Sequence, residues 1–304
     1  MSAVAPRSDA EVPAYLDALG LPGLADVHVH FHPERLLRRI WAYFDDAEQH
    51  YGTPWPIHYQ TSEEERLRTL ERLGVRAVPA LTYAHRPDMA ADLNVWCRSF
   101  ADAHPQVLRC ATLYPEEGVT DYVEEAVRDG LQLVKVHVTV SELAPDDEVL
   151  DGAWSVLERA GVPVVLHAGH GPRAGRFSGP ERVARLLADH PDLTLVVAHM
   201  GMPDYDEFAD LVEAYDRVHL DTTMVGTDFM ERLAPVPPRF LGRLAELRPR
   251  VVLGTDFPNI PYPYAHQLEA LHRWRLGEDW LRDVLWTNGR RLLGLDEEPV
   301  TQGW

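Results

Sequence analysis

The chain has 304 residues, 45% of them hydrophobic and 25% charged, which is typical of a soluble globular protein. Its formal net charge of −19 makes nucleic acid and anionic lipid poor candidate partners. The chain has only two cysteines and no apolar run long enough to span a bilayer, so we exclude a disulfide framework and expect a cytoplasmic protein.

Short apolar runs recur along the chain and alternate with segments of helical periodicity. Most of the runs are continuously apolar, as expected for parallel strands that are covered on both faces. The predicted strands span residues 25–31, 76–83, 107–114, 131–138, 162–168, 193–199, 218–222 and 251–256.

Helices are predicted between these strands. Ser62–Glu65 is a capping box that begins a helix, and Gly74 ends it. Further helices are predicted over residues 147–160, 180–190 and 205–215. Eight strand–helix units predict an α/β fold, a (β/α)8 TIM barrel in a single domain. A doubly wound open sheet is the alternative.

The barrel is expected to span residues 25–295. An N-terminal extension, 1–24, is expected to hold a short helix that covers the bottom of the barrel, and 296–304 form a C-terminal tail. The connection after the first strand is long and aromatic, so it is either a lid over a site or an aromatic mini-core. Its aromatic residues are Trp41, Tyr43, Phe44, Tyr51, Trp55 and Tyr59.

Ligand-capable side chains occur at the carboxyl end of five predicted strands, where TIM barrels carry their chemistry. These are His28 and His30 on the first strand, Lys135 and His137 on the fourth, His167 on the fifth, His199 on the sixth and Asp256 on the eighth. His28 and His30 are two residues apart, so their imidazoles project from one face of a strand. Imidazoles with a carboxylate suit Zn²⁺, with Mn²⁺ or Fe²⁺ as alternatives. The shared barrel face therefore predicts a metal site.

These residues resemble the amidohydrolase-related branch of the amidohydrolase superfamily, which holds both lactone hydrolases and decarboxylases. The motifs that carry the resemblance are His28–His30, Leu166–Gly169, Val197–Gly201, Leu253–Pro258 and Asn288–Leu293. It covers roughly residues 25–295. The resemblance implies that His28, His30, His167 and Asp256 bind one divalent metal. It also implies that Asp256 relays a proton and that His199 either stabilises the substrate oxyanion or binds a second metal.

Lys135 is the single lysine of the chain and lies in an apolar run. A buried lysine amine can shift its pKa, whereas arginine keeps its proton. The resemblance offers a carbamate on Lys135 that bridges two metals. The alternative is a buried ammonium that orients a substrate carboxylate or pairs with Asp26 or Asp256. We favour the ammonium and one metal ion, because this branch resembles mononuclear enzymes.

Further residues are candidates for the substrate pocket: His137, Arg173, Arg176, Asn259, Tyr262 and Tyr264. Arg173 and Arg176 are expected either to hold a substrate carboxylate by bidentate contacts or to be solvated loop charges. Asp221, at the end of the seventh strand, is expected to have a structural role in a turn.

The leading functional hypothesis is a hydrolase of a small-molecule ester, lactone or amide that uses metal-activated water. The alternative is a metal-dependent, non-oxidative decarboxylase of an aromatic or dienoic acid. The salicylate-type decarboxylases begin with Glu-x-His, whereas this chain has His28-x-His30 preceded by Asp26. This difference weakens the salicylate type but not the decarboxylases that resemble the aminocarboxymuconate semialdehyde type. A non-catalytic metal-binding protein is a third class. We also expect a homo-oligomer.

Overall fold

Parallel strands follow one another around a ring in the computed structural model, which describes residues 3–295. The strands are β1 (Val78–Pro79), β2 (Val107–Leu108), β3 (Cys110–Thr112), β4 (Leu133–His137), β5 (Val164–His167), β6 (Leu195–Val197), β7 (Val218–Asp221) and β8 (Val251–Val252). β1 pairs with β2, and β3 to β8 form one parallel sheet in chain order. Only Arg109 separates β2 from β3, so these two strands are pieces of one barrel strand.

The segment 24–30 closes the ring. Parallel bridges join it to the second barrel position on one side and to the eighth on the other: Leu24–Val75, His30–Leu81 and Val29–Phe257. The segment, β1, the β2–β3 pair and β4 to β8 therefore occupy eight positions. The fold is the predicted (β/α)8 barrel in a single domain, and the open sheet is excluded.

Helices alternate with the strands along the chain. They are α1 (Val12–Leu19), α2 (Glu34–Asp45), α3 (Ala47–Tyr51), α4 (Glu63–Leu73), α5 (Ala90–Ala103), α6 (Val119–Arg128), α7 (Val138–Ser141), α8 (Asp151–Ala160), α9 (Pro180–Asp189), α10 (Tyr205–Ala214), α11 (Pro238–Glu246), α12 (Ala265–Arg273), α13 (Glu278–Arg282) and α14 (Asn288–Leu292). The Ser62 hydroxyl accepts a hydrogen bond from the Glu65 amide, which confirms the predicted start of α4. Within residues 3–295, none of these helices has the length and apolar character needed to cross a bilayer.

Several strands are shorter than the sequence predicts, and in β6 and β8 the reason is a sharp turn of the chain where site residues stand. β6 ends at Val197, and His199 follows in a turn with φ of 56°. β8 ends at Val252, and Asp256 has φ of 69°. A positive φ is uncommon outside glycine and concentrates at functional sites. These turns set the direction in which both side chains leave the backbone.

An apolar layer fills the inside of the barrel. It contains Val27, Ala77, Leu81, Leu108, Cys110, Leu133, Val165, Val196, Ala198, Val252 and Leu293. In β4, Lys135 and His137 follow Leu133 at steps of two residues, so they share its inward face further along the strand. His167 follows Val165 in β5 by the same step. The inward face therefore changes from apolar to polar at one level, which becomes the floor of a site.

The segments at the two ends of the described chain contact the barrel at different places. α1 forms in the N-terminal extension and lies beside α4 and α13, where the Leu19 carbonyl accepts a hydrogen bond from Arg282. At the other end, Leu293 directly after α14 belongs to the apolar layer inside the barrel, and Leu292 and Leu295 pack against that layer. The expected short helix of the N-terminal extension is thus present, and its covering of the barrel bottom stays a prediction. The predicted tail, 296–304, lies outside the described residues.

α14 approaches the first barrel strand so closely that Gly289 has no room for a side chain. A Cβ atom there would lie 2.5 Å from the Ala25 carbonyl oxygen. We expect Gly289→Ala to lower the free energy of unfolding by about 1–3 kcal/mol, the usual cost of overpacking. Gly242→Ala in α11 is the control, because a Cβ there meets nothing within 4 Å. Denaturant unfolding measures both variants, and equal midpoints would contradict the prediction.

Candidate metal centre

Three potential ligand atoms converge at the carboxyl ends of the barrel strands. A ring nitrogen of His28, a ring nitrogen of His30 and a carboxylate oxygen of Asp256 all lie within 4.8 Å of one another. The Asp256 Oδ1 atom is 2.9 Å from His30 Nε2 and 3.4 Å from His28 Nε2. The Asp256 amide also donates to the His28 carbonyl at 2.9 Å, so the first and eighth barrel positions hold this group together. These are three of the four predicted ligands.

The protons of both imidazoles point away from the group. His28 Nδ1 donates to Asp221 Oδ2 at 2.8 Å, and His30 Nδ1 donates to the Leu81 carbonyl at 3.0 Å. Burial lowers the pKa of His28 to about 4, so its Nε2 carries no proton at neutral pH. The unprotonated His28 Nε2 and the His30 Nε2 atom thus both lie against one carboxylate oxygen, and a divalent cation would contact all three atoms at once. The residues present therefore fit a divalent metal.

Asp221 has a role that the sequence analysis missed. It is fully buried on the inward end of β7, and its Oδ1 accepts hydrogen bonds from the amides of His199 and Thr223 at 2.8 and 3.0 Å. Burial alone would raise the pKa of Asp221, but the charge and hydrogen bond of His28 outweigh burial and hold the pKa well below its usual range. Asp221 therefore fixes the tautomer and orientation of His28. Its place at an inward strand end was the available signal, because the other ligand-capable residues share that place.

His199 stands in the turn after β6, and its ring centroid lies 5.3 Å from that of His28. Its Nδ1 donates to the Thr223 carbonyl at 3.1 Å, which leaves Nε2 without a proton. Burial lowers the pKa of His199 to about 4, so the ring is neutral at pH 7. A neutral ring with this tautomer accepts a hydrogen bond or binds a metal. The geometry thus favours a ligand or acceptor role over donation to an oxyanion.

His167 and His137 stack on each other with ring centroids 4.0 Å apart, and His167 lies 4.5 Å from His199. His167 Nε2 donates to the Gly171 carbonyl at 3.1 Å, so Nδ1 is its free nitrogen. Its atoms lie outside the converging group, and its ligand role stays a prediction. His137 Nδ1 accepts from the Val140 amide and so caps α7. Burial lowers the pKa of both imidazoles well below the usual value.

Lys135 is buried beside the converging group, and its Nζ lies 2.8 Å from His28 Nε2. Burial lowers the pKa of Lys135 to about 8, against the opposing charges of Asp256 and Asp221. Asp26, a predicted alternative partner of Lys135, is engaged elsewhere and accepts from the hydroxyls of Thr255 and Tyr264. The chain bends at Val27, and the other carboxylate oxygen of Asp26 accepts from the backbone amide of His28 at 3.0 Å.

A cavity of about 620 Å³ opens above this floor. The predicted substrate residues Arg173, Arg176 and His137 line it, and so does Asn259. Arg39 from α2 is a further lining residue that the sequence analysis missed, and within residues 3–295 none of these three arginines pairs with a carboxylate. The prediction for Tyr262 and Tyr264 was wrong. Neither lines the cavity, because Tyr264 turns inward to Asp26.

The long connection after the first strand forms α2 and α3 and covers one side of the cavity. Its lining aromatic residues are Tyr43, Phe44, Tyr51 and Trp55. The same rings also pack against each other, with the Tyr51 and Trp55 centroids 5.4 Å apart. The lid and the aromatic cluster, which we treated as alternatives, are therefore one structure.

Asp221→Asn should weaken metal binding while the barrel stays folded, because His28 loses the carboxylate that holds its Nδ1 proton. We expect the Kd for Zn²⁺ or Mn²⁺ to rise by about 10–100-fold, as for other partners of metal ligands. Competition with a chromophoric chelator measures this constant. Asp216→Asn, at a fully exposed carboxylate, is the control. An unchanged Kd in Asp221→Asn would show that His28 does not depend on this contact.

His167→Ala should reduce the number of metal ions retained per chain after dialysis, if His167 supplies a ligand through Nδ1. His170→Ala is a matched control, because His170 lies three residues later but does not line the cavity. Elemental analysis of both variants gives the stoichiometry. Equal metal content in His167→Ala and the unmodified protein would remove His167 from the ligand set.

Comparison with known proteins identifies the family. The family model for amidohydrolases matches residues 25–295, whereas no curated protein matches the chain. Three similar solved structures are an uncharacterised TIM-barrel protein from Bordetella bronchiseptica (TM-score 0.70, 20% identity, 88% of this chain and 97% of that chain), a probable 2-pyrone-4,6-dicarboxylic acid hydrolase from Acinetobacter baumannii (0.59, 13%, 89% and 98%) and a 5-carboxyvanillate decarboxylase from Novosphingobium aromaticivorans (0.58, 15%, 91% and 97%). At these identities, the likeness shows the fold alone. Because the family model spans most of the sequence, the chain belongs to the amidohydrolase family of enzymes.

Proposed function

We propose that this enzyme is a metal-dependent hydrolase that cleaves an ester, lactone or amide bond in a small anionic molecule. One observation carries the proposal: three potential ligand atoms converge at the floor of a cavity lined by arginines that pair with no carboxylate within residues 3–295. A cation would bind these three atoms together, and the cavity above them is large enough for a small substrate.

His28, His30 and Asp256 would hold the metal, with His167 as the predicted fourth ligand. When bound, a divalent ion lowers the pKa of water and polarises a substrate carbonyl. We propose Zn²⁺ as the first choice for this donor set, with Mn²⁺ or Fe²⁺ as alternatives and one ion rather than two. The Novosphingobium decarboxylase was solved with manganese, which supports testing Mn²⁺ alongside Zn²⁺.

Asp256 would accept and return the proton. Burial opposes its ionisation, but the contact with His30 and the charges of His28 and His30 outweigh burial and hold the pKa of Asp256 well below its usual range. It is therefore a carboxylate at neutral pH, which can take a proton from water and pass it to the leaving group. The turn after β8 aims this carboxylate at the two imidazoles.

Arg39, Arg173 and Arg176 would hold an anionic group of the substrate. Arg39 comes from α2, and the other two come from the loop after β5, so they approach the cavity from two separate segments. The chain as a whole carries a net charge of −19, which repels anions. Arginines that have no carboxylate partner within residues 3–295 offset this repulsion locally and offer bidentate contacts to a carboxylate.

Decarboxylation of an aromatic or dienoic acid is the second candidate. The aromatic wall of the cavity, formed by Tyr43, Phe44, Tyr51 and Trp55, favours a flat conjugated substrate. The same arginines would then orient a carboxylate. This candidate predicts release of CO2, whereas hydrolysis predicts release of an acid with an alcohol or amine.

The two candidates are separated by assaying the Zn²⁺- and Mn²⁺-loaded enzyme on a panel of esters, lactones and amides, and on aromatic acids with CO2 detection. We expect hydrolysis that disappears on chelation and returns with metal. Asp256→Asn should lower kcat by about 10²–10⁴-fold, the usual contribution of a general base. Asp228→Asn is the control, because that carboxylate is largely exposed. CO2 release without hydrolysis would replace the first candidate by the second, and near-normal turnover by Asp256→Asn would exclude this proton route.

A further inference from the structure

Five imidazoles form a ring at the floor of the cavity, and Tyr83 closes it. The centroid distances around the ring are 5.1 Å for His30–His28, 5.3 Å for His28–His199, 4.5 Å for His199–His167, 4.0 Å for His167–His137, 5.3 Å for His137–Tyr83 and 5.8 Å for Tyr83–His30. Tyr83 follows β1 at the end of the second barrel strand. It is the one phenol in a ring that otherwise consists of histidines.

Most protons of this ring are already committed to the protein. His28 donates to Asp221, and His30, His199 and His167 donate to backbone carbonyls. Burial keeps His28, His199 and His167 neutral, so these three rings present a lone pair to the cavity. Apart from the Lys135 ammonium, which contacts His28 Nε2, the floor is therefore rich in acceptors. Acyl transfer and decarboxylation both develop negative charge on a substrate oxygen, and that oxygen needs hydrogen-bond donors.

The Tyr83 hydroxyl is an uncommitted donor. Within residues 3–295 it forms no hydrogen bond, and it is not among the buried polar atoms that are sealed without a partner. The residue lines the cavity and is partly accessible there. A phenol keeps its proton at neutral pH, so this hydroxyl can donate. Its ring meets His30 nearly at right angles, at 89°, which places it against one of the converging ligands.

We propose that Tyr83 donates a hydrogen bond to the substrate oxygen on which negative charge develops during the reaction. The inference rests on the proposed function, because it places the reacting carbonyl next to the group formed by His28, His30 and Asp256. Tyr83 thus takes the donor role that the resemblance suggested for His199, whose Nδ1 proton is bound to the Thr223 carbonyl. The Tyr83 phenol would then donate a hydrogen bond to the substrate oxygen, and Asp256 would accept the proton.

Among the aromatic side chains of the ring, His137 is the competing donor. Its Nδ1 accepts from the Val140 amide, so its proton lies on Nε2. Its ring is stacked against His167 with an interplanar angle of 15°, whereas Tyr83 also reaches His30 on its other side. Tyr83 therefore bridges the stacked pair and the converging ligands, and His137 contacts the stacked side alone.

The test compares Tyr83→Phe, His137→Ala and Tyr215→Phe as metal-loaded enzymes. Tyr215 is the matched control, because it lies outside the cavity and its hydroxyl has no hydrogen bond within the described residues. On the best substrate of the panel, Tyr83→Phe should lower kcat by about 10²–10³-fold, as for loss of one oxyanion donor, and change KM by less than about threefold. Metal content and the unfolding midpoint should not change.

A second arm is independent of turnover. Phenylphosphonate carries a tetrahedral anion, and calorimetry should show its Kd rising at least about tenfold in Tyr83→Phe but not in Tyr215→Phe. If the unmodified enzyme turns over no substrate, the proposed function fails while this arm still decides on Tyr83.

Three results would overturn the inference. The first is unchanged kcat and phosphonate affinity in Tyr83→Phe. The second is loss of metal or of the folded state in that variant, because the hydroxyl would then be structural. The third is a large loss of kcat in His137→Ala with none in Tyr83→Phe, which would assign the donor to His137.

Discussion

The hydrogen bond between His28 and Asp221 is the contact on which the centre depends, and a glycine makes room for it. Gly254 follows β8 on the inward face, and a Cβ atom there would lie 2.9 Å from His28 Cβ, 3.0 Å from Asp221 Cγ and 2.3 Å from the Thr223 hydroxyl. Any larger residue would therefore drive apart the imidazole and the carboxylate that orients it. Since His28 presents Nε2 only while Nδ1 is held, the ligand geometry depends on an empty volume two residues before Asp256.

The positions of His28, His30 and Asp256 could be predicted from the sequence because strand geometry is regular. The two-residue spacing of His28 and His30 was enough to place both rings together, and the position of Asp256 at the end of the eighth strand was enough to bring it to the same rim. The other contacts of the site depend on local departures from regular strand geometry and on partners far along the chain, so they could not be predicted. The chain bends at Val27, and the Asp26 carboxylate is taken up by Thr255, Tyr264 and the His28 amide; no sequence pattern predicts either feature. The tautomer of each ring depends on a partner far along the chain, which spacing alone does not give.

The lid is anchored to the turn that carries Asp256. Asn259 accepts a hydrogen bond from Trp41 through its side-chain oxygen and from Trp55 through its carbonyl, while its own amide donates to the Asp256 carbonyl at 2.9 Å. Arg66 lies over the Trp41 ring at 5.4 Å and adds a cation–π contact at the base of α2. The aromatic wall is thus a pre-formed part of the cavity. A substrate that packs against this aromatic wall would therefore contact a structure that is hydrogen-bonded to the turn carrying Asp256, the proposed base.

A metal ion in this centre would lie next to the positively charged ammonium of Lys135. This ammonium contacts the same His28 nitrogen that a metal would use, so the two compete for one lone pair. Burial removes much of this conflict, because a lysine with a pKa of about 8 gives up its proton far more readily than one with the ordinary value of 10.5. An approaching dication lowers that pKa further through Coulomb repulsion. An arginine at position 135 would keep its proton. A buried lysine, in contrast, can lose its proton and leave the His28 nitrogen to a metal ion.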